Sequence, residues 1–231
     1  MSFINERNIK TWSTIGQRAT LGIAALELAK KNKNLIVITC DVSTSAGLDR
    51  FRKTLPEQYL DVGIAEQNMI GVAAGLSSEN FKVLTTTFAP FQSIRCCEQI
   101  KVNIGYMNQN ICMVGIASGL VLGNLGFTHC CIEDIGILRT IPNITIISPS
   151  DTLEVVKSLT AALKYDGPCY LRLTGGANNP IVNNSDYDFT IGKANTIKSG
   201  NDITIFSTGS MVYKSLEAAK SLISIFYKDL G

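Results

Sequence analysis

The chain has little histidine, little tryptophan and no strong excess of either charge. Its 231 residues include one histidine and one tryptophan, and the formal net charge is +2 at neutral pH. Because this charge is nearly balanced, we expect neither nucleic acid nor an anionic membrane surface as a partner. Long apolar runs are lacking too, since polar residues interrupt every candidate segment, and no bilayer-spanning helix is expected.

Two further absences concern the compartment and metal binding. The N-terminal stretch MSFINERNIK lacks the apolar core of a signal peptide, so we expect a cytoplasmic protein. None of the seven cysteines forms a C-x-x-C pair, and a single histidine is too few to complete a common zinc site. We therefore interpret the cysteines as reduced, mostly structural thiols and predict no metal ligands.

Short apolar runs alternate with segments of helical composition along most of the chain. Such runs, rich in β-branched residues, are typical of strands covered on both faces of a parallel sheet. The predicted strands are Leu35–Thr39, Tyr59–Val62, Phe81–Thr87, Ile111–Ile116, Ile144–Ile147 and Cys169–Leu173. The predicted helices are Ala19–Lys30, Ala65–Ser77, Phe91–Ile104, Glu133–Thr140 and Thr152–Leu163. This order predicts an α/β fold with a mostly parallel sheet, helices on both faces and a ligand site outside the carboxyl ends of the strands.

The composition changes after Leu173. Residues 175–200 are rich in Gly, Asn and Asp without a helical period and indicate a linker, while Ile203–Ser207 and Ser215–Ile225 predict one more strand and helix. A lone strand–helix pair cannot bury its own faces. We therefore predict a domain over residues 1–174, a linker over 175–200 and the incomplete beginning of a second α/β domain over 201–231.

Three stretches at predicted strand ends carry candidate chemistry. Glu66 stands in the first turn of a helix, where the helix dipole favours an acid, although many helices carry such an acid without any function. Phe88 and Phe91 flank a proline and could either stack on a flat heterocycle or belong to the core. His129 follows a glycine-rich loop and is either a proton-transfer group or a partly buried polar residue. These residues indicate an enzyme-like domain and leave its reaction open.

Four segments together resemble the pyrimidine-binding domain of transketolases. They are DVGIAEQNMIGVAAGL, TTFAPFQSIRCCEQI, GNLGFTHCCIEDIGILRTIPNITIISPSD and GPCYLRL, within a match from about Leu35 to Leu173. The motif THxxxED followed by LRxIPN is also similar to a motif of deoxyxylulose-phosphate synthase. The overall residue pattern resembles that of the C-terminal subunits of split transketolases. The STGSMV segment at Ser207–Val212 resembles the opening of the family's C-terminal domain.

The resemblance implies a thiamine-diphosphate enzyme that transfers a two-carbon ketol unit between sugars. It implies that Glu66 hydrogen-bonds the aminopyrimidine ring of the cofactor, and that Phe91 packs on this ring beside Phe88. It also implies that Asp41 lies near the cofactor and that His129 lies near the exocyclic amine and the substrate. Glu66 and His129 are thus the expected catalytic residues.

On the substrate side, the sequence departs from the family pattern. Ser45 falls where transketolases place a serine that contacts a sugar phosphate. However, Ala117 replaces a phosphate-contacting histidine, Leu125 replaces an aspartate that reads a sugar hydroxyl, and Gly175 stands about where an arginine would bind phosphate. The loss of these charged contacts argues against a standard pentose or hexose phosphate and makes an unphosphorylated or nucleotide-linked sugar, or a 2-oxoacid donor, plausible. A related acyloin-forming or 2-oxoacid-decarboxylating enzyme therefore remains an alternative, as does a non-catalytic transketolase-like subunit.

A motif for the diphosphate half of the cofactor is missing from the sequence. In this family a G-D-G motif holds Mg²⁺ and the diphosphate, and no G-D-G occurs here. The resemblance therefore implies a partner, the diphosphate-binding subunit of a split transketolase, that holds most of the Mg²⁺ coordination. We expect a heteromer, with two copies of each subunit or a homodimerising core, and no activity from this chain alone.

Overall fold

Six parallel strands form the central sheet of the chain, whose computed structural model describes residues 3–228. They are β1 (Leu35–Thr39), β2 (Tyr59–Asp61), β3 (Lys82–Phe88), β4 (Ile111–Ile116), β5 (Thr145–Ile147) and β6 (Cys169–Arg172). Their order in the sheet is β2-β1-β3-β4-β6-β5, and every neighbouring pair is parallel. The six strands predicted before the linker are all present, with ends that differ by at most one residue, so the predicted fold class is confirmed.

Helices connect the strands and cover both faces of the sheet. They are α1 (Glu6–Ala29), α2 (Asp49–Thr54), α3 (Glu66–Ser78), α4 (Ala89–Gln92), α5 (Cys97–Gln99), α6 (Asp134–Leu138), α7 (Thr152–Ala162) and α8 (Met211–Lys228). A π-helix spans Ile100–Tyr106, and 3₁₀ turns span Pro56–Gln58 and Gly123–Leu125. Among the described residues, no helix has the length and apolar character needed to cross a membrane.

Two apolar cores lie on opposite faces of the sheet. On one face, α1, α2 and α7 pack against strand residues such as Val37 and Leu84. On the other face, α3, α6 and the π-helix pack against residues such as Ile38 and Val83. Successive residues of a strand point to opposite faces, so neighbouring residues serve different cores. This double coverage explains why the strands are almost uninterrupted apolar runs.

Helix α1 is longer than the predicted Ala19–Lys30 and contains a kink at Gly16. This glycine has φ of 83°, and a Cβ atom there would lie 2.2 Å from the carbonyl oxygen of Gly176. The neighbouring Gln17 is fully buried, and its Oε1 accepts hydrogen bonds from the backbone N–H groups of Thr174 and Gly175. The kink thus lets the chain after β6 cross α1 in close contact.

The predicted helix Phe91–Ile104 is wrong as a continuous helix. It is divided into α4, α5 and the π-helix. Pro90 has no N–H to donate, the hydroxyl of Ser93 donates to the carbonyl of Ala89, and the thiol of Cys96 donates to the carbonyl of Phe91. Side chains that bond to carbonyl groups in this way compete with the helical pattern. In addition, the N–H of Arg95 bonds five residues back to Pro90, which widens the turn.

The predicted strand Ile203–Ser207 is also wrong. These residues form no strand, and Phe206 is 88% exposed. A strand needs a neighbour with which to exchange backbone hydrogen bonds, and none of the strands in the described part of the chain pairs with this segment. The predicted helix Ser215–Ile225 lies within α8. The first two residues of the predicted N-terminal domain and the last three of the C-terminal one lie outside the described residues.

The linker predicted over residues 175–200 contains no helix or strand, yet it packs against the apolar core that α1, α2 and α7 form with the sheet. Tyr187, Phe189 and Ile191 pack against that core while remaining partly exposed. Asp151, the N-cap of α7, accepts a hydrogen bond from the N–H of Glu154 at 2.8 Å and another from the N–H of Asn183 at 2.7 Å. One carboxylate therefore both starts a helix and fixes the path of the linker.

The tight packing of Gly115 in β4 predicts a stability difference between two identical substitutions. A Cβ atom at Gly115 would lie 2.2 Å from the hydroxyl of Tyr170, whereas a Cβ atom at Gly71, on α3, would meet nothing within 4 Å. We expect Gly115→Ala to lower the free energy of unfolding by about 1–3 kcal/mol through overpacking. Gly71→Ala should leave it unchanged or raise it by up to about 1 kcal/mol, since alanine favours helix. Urea denaturation of both variants measures this, and equal stabilities would contradict the packing.

Candidate active site

The predicted site residues lie at the carboxyl edge of the sheet. Glu66 begins α3 after β2, Phe88 ends β3, Phe91 lies in α4 directly after β3, and His129 lies in the long loop after β4. Because β2, β1, β3 and β4 are adjacent in the sheet, the segments that follow them share one edge. This edge is where parallel sheets bind ligands.

Three rings form a cluster at this edge. The ring centroids of Phe88 and Phe91 are 6.0 Å apart, and that of His129 lies 5.6 Å from Phe88 and 5.4 Å from Phe91. All three pairs meet edge to face, which is a favourable arrangement for aromatic rings. The hydroxyl of Thr128 lies 3.0 Å from Nδ1 of His129. The cluster therefore holds the imidazole against two phenyl rings.

Glu66 is buried beside this cluster and pairs with Arg95. Its side chain is 4% exposed, and its Oε2 lies 2.8 Å from Nη1 of Arg95. The same guanidinium lies over the ring of Phe91, with Cζ 3.9 Å from the ring centroid. An open cavity of about 320 Å³ adjoins the pair and is lined by Ile64, Ala65, Glu66, Gln67, Asn68 and Arg95. A planar cation thus connects the buried acid to the aromatic cluster.

Two buried thiols line the inner side of Glu66. Cys40 and Cys96 are both buried, and Sγ of Cys40 lies 3.5 Å from the sulfur of Met69. Burial first, and then the charge of Glu66, raises the pKa of both thiols to about 12. Both are therefore neutral thiols near pH 7 and serve as packing groups.

The backbone of Asp41, rather than its side chain, makes the contact that connects it to Asp61 at this edge of the sheet. It adopts φ of 55°, and its N–H donates to Oδ1 of Asp61 at 2.9 Å. The same oxygen accepts from the N–H of Gly63, whose φ is 72°, and Oδ2 accepts from the hydroxyls of Thr39 and Tyr59. Burial alone would raise the pKa of Asp61, but these hydrogen bonds outweigh burial and hold its pKa below the ordinary value. Asp61 thus fixes the left-handed backbone of two loops at the sheet edge.

Ser45 lies on the loop between β1 and α2, next to a cation. Nη1 of Arg18, on α1, donates to the carbonyl oxygen of Ser45 at 3.3 Å. The loop is held close to α1, because a Cβ atom at Gly22 would lie 1.9 Å from the carbonyl oxygen of Gly47. Among the described residues, no hydrogen bond or ring contact links Ser45 directly to Glu66 or to the three rings. Ser45 and Arg18 therefore form a separate part of the edge.

Backbone hydrogen bonds hold together the two ends of the loop that carries His129. Gly119 and Cys131 exchange backbone hydrogen bonds of 2.6 and 2.9 Å. Just beyond, the fully buried Asp134 accepts hydrogen bonds from Nε of Arg172 at 2.8 Å and from the hydroxyl of Tyr170 at 3.0 Å. Burial, and then the charge of Asp134, raises the pKa of Tyr170 well above its ordinary value, so the phenol remains a donor. This network fixes the end of the loop to β6.

Comparison with known proteins shows the family to which the chain belongs. Residues 13–179 match the family described as "Transketolase, pyrimidine binding domain". The chain belongs to the transketolase family. It is 37% identical over 197 residues to a subunit of the apulose-4-phosphate transketolase of Phocaeicola vulgatus, covering 85% of this chain and 63% of that protein. It is also 37% identical over 197 residues to a 6-deoxy-6-sulfo-D-fructose transketolase subunit of a Clostridium species, covering 85% and 61%.

A solved structure with the same fold is also a transketolase. It is described as a split gene transketolase in the form of an inactive beta4 tetramer, with a TM-score of 0.82 and 35% identity. The match covers 91% of this chain and 68% of that chain. The present chain spans about three fifths of the length of the two sequence relatives described above. The resemblance inferred from the sequence motifs is therefore confirmed at the level of the family and the fold.

The three positions that depart from the transketolase pattern have different surroundings. Ala117 is buried in a left-handed conformation with φ of 55°, whereas Leu125 is 51% exposed in the loop that carries His129. Gly175 is closely surrounded, because a Cβ atom would lie 2.2 Å from Nδ2 of Asn179. A side chain at position 175 would therefore require the side chains of Asn179 and Gln17 to move.

Three residues of the site were missed by sequence reasoning. Arg95 is the only charged residue between Lys82 and Glu98, and a lone cation in such a run is a signal that could have been used. Asp61 stands two residues before the G-x-x-E-Q motif and ends a strand. Arg18 gives no local signal, because only the fold brings α1 to the loop of Ser45.

Within residues 3–228, no three His, Cys, Asp or Glu side chains come together in a way that could hold a metal ion. All seven cysteines are free. A larger open cleft of about 580 Å³ lies elsewhere, between α7 and the linker, and contains none of the site residues predicted from the sequence.

The hydrogen bonds of Asp61 predict a pH-dependent contribution to stability. Because its pKa is lowered in the folded chain, the carboxylate stabilises the fold above about pH 4, and this stability is lost as the pH falls through the folded value. Asp61→Asn should lower the free energy of unfolding at pH 7 by about 1 kcal/mol, since the group is partly exposed. The difference from the unsubstituted chain should shrink below pH 4 in thermal denaturation. Asp202→Asn, at an exposed position, is the control, and a gap independent of pH would contradict this role.

Proposed function

We propose that this chain is the pyrimidine-binding subunit of a split transketolase, which transfers a two-carbon ketol unit between sugars with thiamine diphosphate. The observation that carries the proposal is the buried carboxylate of Glu66 at the edge of a cluster formed by Phe88, Phe91 and His129. Membership of the transketolase family supports the same reaction class. Thiamine diphosphate, when bound, supplies the electron sink for carbon–carbon bond exchange beside a carbonyl.

The residues present fit the pyrimidine half of this cofactor. The guanidinium of Arg95 lies between Glu66 and Phe91, which shows that this place accepts a flat group with N–H donors. In the proposal, Glu66 holds a proton at a nitrogen of the pyrimidine ring, and Phe91 and Phe88 orient the ring by stacking and packing. Asp41 shapes the loop next to the ring through its bond to Asp61.

His129 is the proposed proton-transfer group for the substrate. An imidazole can gain or lose a proton near neutral pH, which suits it to acid–base chemistry. The Thr128 hydroxyl engages Nδ1, which leaves Nε2 for the proton transfer. The contacts with Phe88 and Phe91 keep the imidazole at the edge of the cofactor site. Positioning of this kind is a large part of what an enzyme contributes to a reaction of two bound groups.

Ser45 and Arg18 are proposed to hold the far end of the sugar. A guanidinium is well suited to bind a phosphate or sulfonate oxygen. The two relatives described above act, by their names, on a sugar phosphate and a sulfosugar, both of which carry an anionic end. Gly175 supplies no cation, and Arg18, which donates to the carbonyl oxygen of Ser45, is the proposed replacement. We therefore propose a ketose donor with an anionic terminus.

The diphosphate and Mg²⁺ are proposed to be held mainly by a separate subunit, in a heterotetramer. The sequence has no G-D-G motif, the two relatives are named as subunits, and a related split-gene transketolase is described as inactive when assembled as a beta4 tetramer. Exposed apolar side chains around the site support docking of that subunit here. They are Ile64, Leu120, Leu125, Phe127 and Ile132.

Reconstitution with the diphosphate-binding subunit tests the function. We expect size-exclusion chromatography to show one complex, and ketol transfer from a ketose phosphate or sulfosugar to an aldose only when both subunits, thiamine diphosphate and Mg²⁺ are present. Turnover by this chain alone would refute the need for a partner. Pyruvate as the preferred donor would instead favour the acyloin-forming or decarboxylating alternative.

Within that complex, Glu66→Gln should lower kcat by about a hundredfold or more, since loss of a positioned acid or base has effects of this order. The amide keeps the size of the side chain, so the complex should still form and elute at the same volume. Glu79→Gln, at the exposed C-terminal end of α3, is the matched control and should keep full activity. Full activity of Glu66→Gln would remove the central assumption of the proposal.

A further inference from the structure

Arg95 engages the two groups that a bound pyrimidine ring would need. One of its nitrogens is 2.8 Å from the Glu66 carboxylate, and its guanidinium plane lies over the Phe91 ring at 3.9 Å. A guanidinium is flat and carries N–H donors in its plane. An aminopyrimidine is also flat and can share a proton with a carboxylate. In the proposed function, the ring would therefore make the same kinds of contact with Glu66 and Phe91 that the guanidinium makes.

The side chain of Arg95 is partly exposed to solvent, whereas its backbone is held by hydrogen bonds. It is 41% exposed, in contrast to the 4% of Glu66, so its route to solvent is open. The carbonyl oxygen of Arg95 accepts a hydrogen bond from Nε2 of Gln67 at 3.1 Å, and its N–H donates to the carbonyl of Pro90 at 3.1 Å. Because the backbone is fixed, displacement of Arg95 from Glu66 and Phe91 would occur by rotation of its side chain.

We propose that Arg95 is an internal stand-in for the pyrimidine ring, which must be displaced before the cofactor can bind. This inference rests on the proposed function. The arginine neutralises the buried carboxylate of Glu66 and covers Phe91, and the incoming ring takes over both contacts. The guanidinium and the ring compete, so the measured cofactor affinity is lower than the affinity of the site without Arg95. The contact also stabilises the chain, because a buried carboxylate without a partner is strongly unfavourable.

The substitution Arg95→Leu, in the complex with the diphosphate-binding subunit, tests this competition. We expect the Kd for thiamine diphosphate with Mg²⁺, measured by isothermal titration calorimetry, to fall about fivefold or more, because the competing cation–π and ionic contacts are gone. The melting temperature without cofactor should fall, because Glu66 loses its partner. Saturating cofactor should then raise the melting temperature of the variant more than that of the unsubstituted complex.

Two further variants make the test specific. Arg52→Leu removes an arginine of similar exposure, 46%, from an exposed pair with Asp49, and it should change neither the Kd nor the response to cofactor. Arg95→Lys keeps a charge for Glu66 but loses the flat guanidinium that stacks on Phe91. It should therefore fold like the unsubstituted chain and bind the cofactor about twofold more tightly, which provides the measurement if Arg95→Leu does not fold.

The possible results separate the two proposals. Weaker or unchanged cofactor binding by Arg95→Leu or Arg95→Lys, in a complex that otherwise binds thiamine diphosphate, would overturn the stand-in role and leave the proposed function intact. If the unsubstituted complex binds no thiamine diphosphate at all, both the proposed function and the competition are overturned. Tighter binding together with a larger thermal response to cofactor supports the stand-in role.

Discussion

The buried carboxylate of Glu66 is the charge on which the arrangement of the site depends. A carboxylate removed from water must be compensated by donors or by an opposite charge. The N-terminus of α3 supplies part of this compensation, and Arg95 supplies the rest from the segment after β3. Because Arg95 also lies over Phe91, one ion pair connects the acid to the aromatic cluster and joins two neighbouring loops.

The parallel sheet brings these loops together, and polar contacts then hold each loop in place. Asp61 binds the backbone of the loops after β1 and β2, and Asp134 anchors the loop after β4 through Tyr170 and Arg172. Both carboxylates hold their neighbours through hydrogen bonds. For the function proposed here, which requires an acid, two rings and an imidazole to be aligned, such supporting contacts matter because small displacements weaken catalysis.

The strands could be predicted well because covered parallel strands leave a strong local signal of continuous β-branched residues. The interrupted helix after β3 could not, because its breaks depend on side-chain bonds of Ser93 and Cys96 to nearby carbonyl groups, which compete with an otherwise helical composition. The apolar segment Ile203–Ser207 carries the same local signal as the true strands. It forms no strand because pairing is a property of two segments and not of one.

The sequence alone identified the transketolase family through the resemblance of its motifs, and it predicted that Glu66, Phe88, Phe91 and His129 lie together, because all four follow or end strands of one parallel sheet. Only the tertiary structure decided what surrounds them. The pairing of Arg95 with Glu66, the approach of Arg18 to Ser45 and the approach of Gln17 to Gly175 each join residues distant in the chain. Such contacts arise from how strands and helices pack, and the spacing of residues within one segment does not determine that packing.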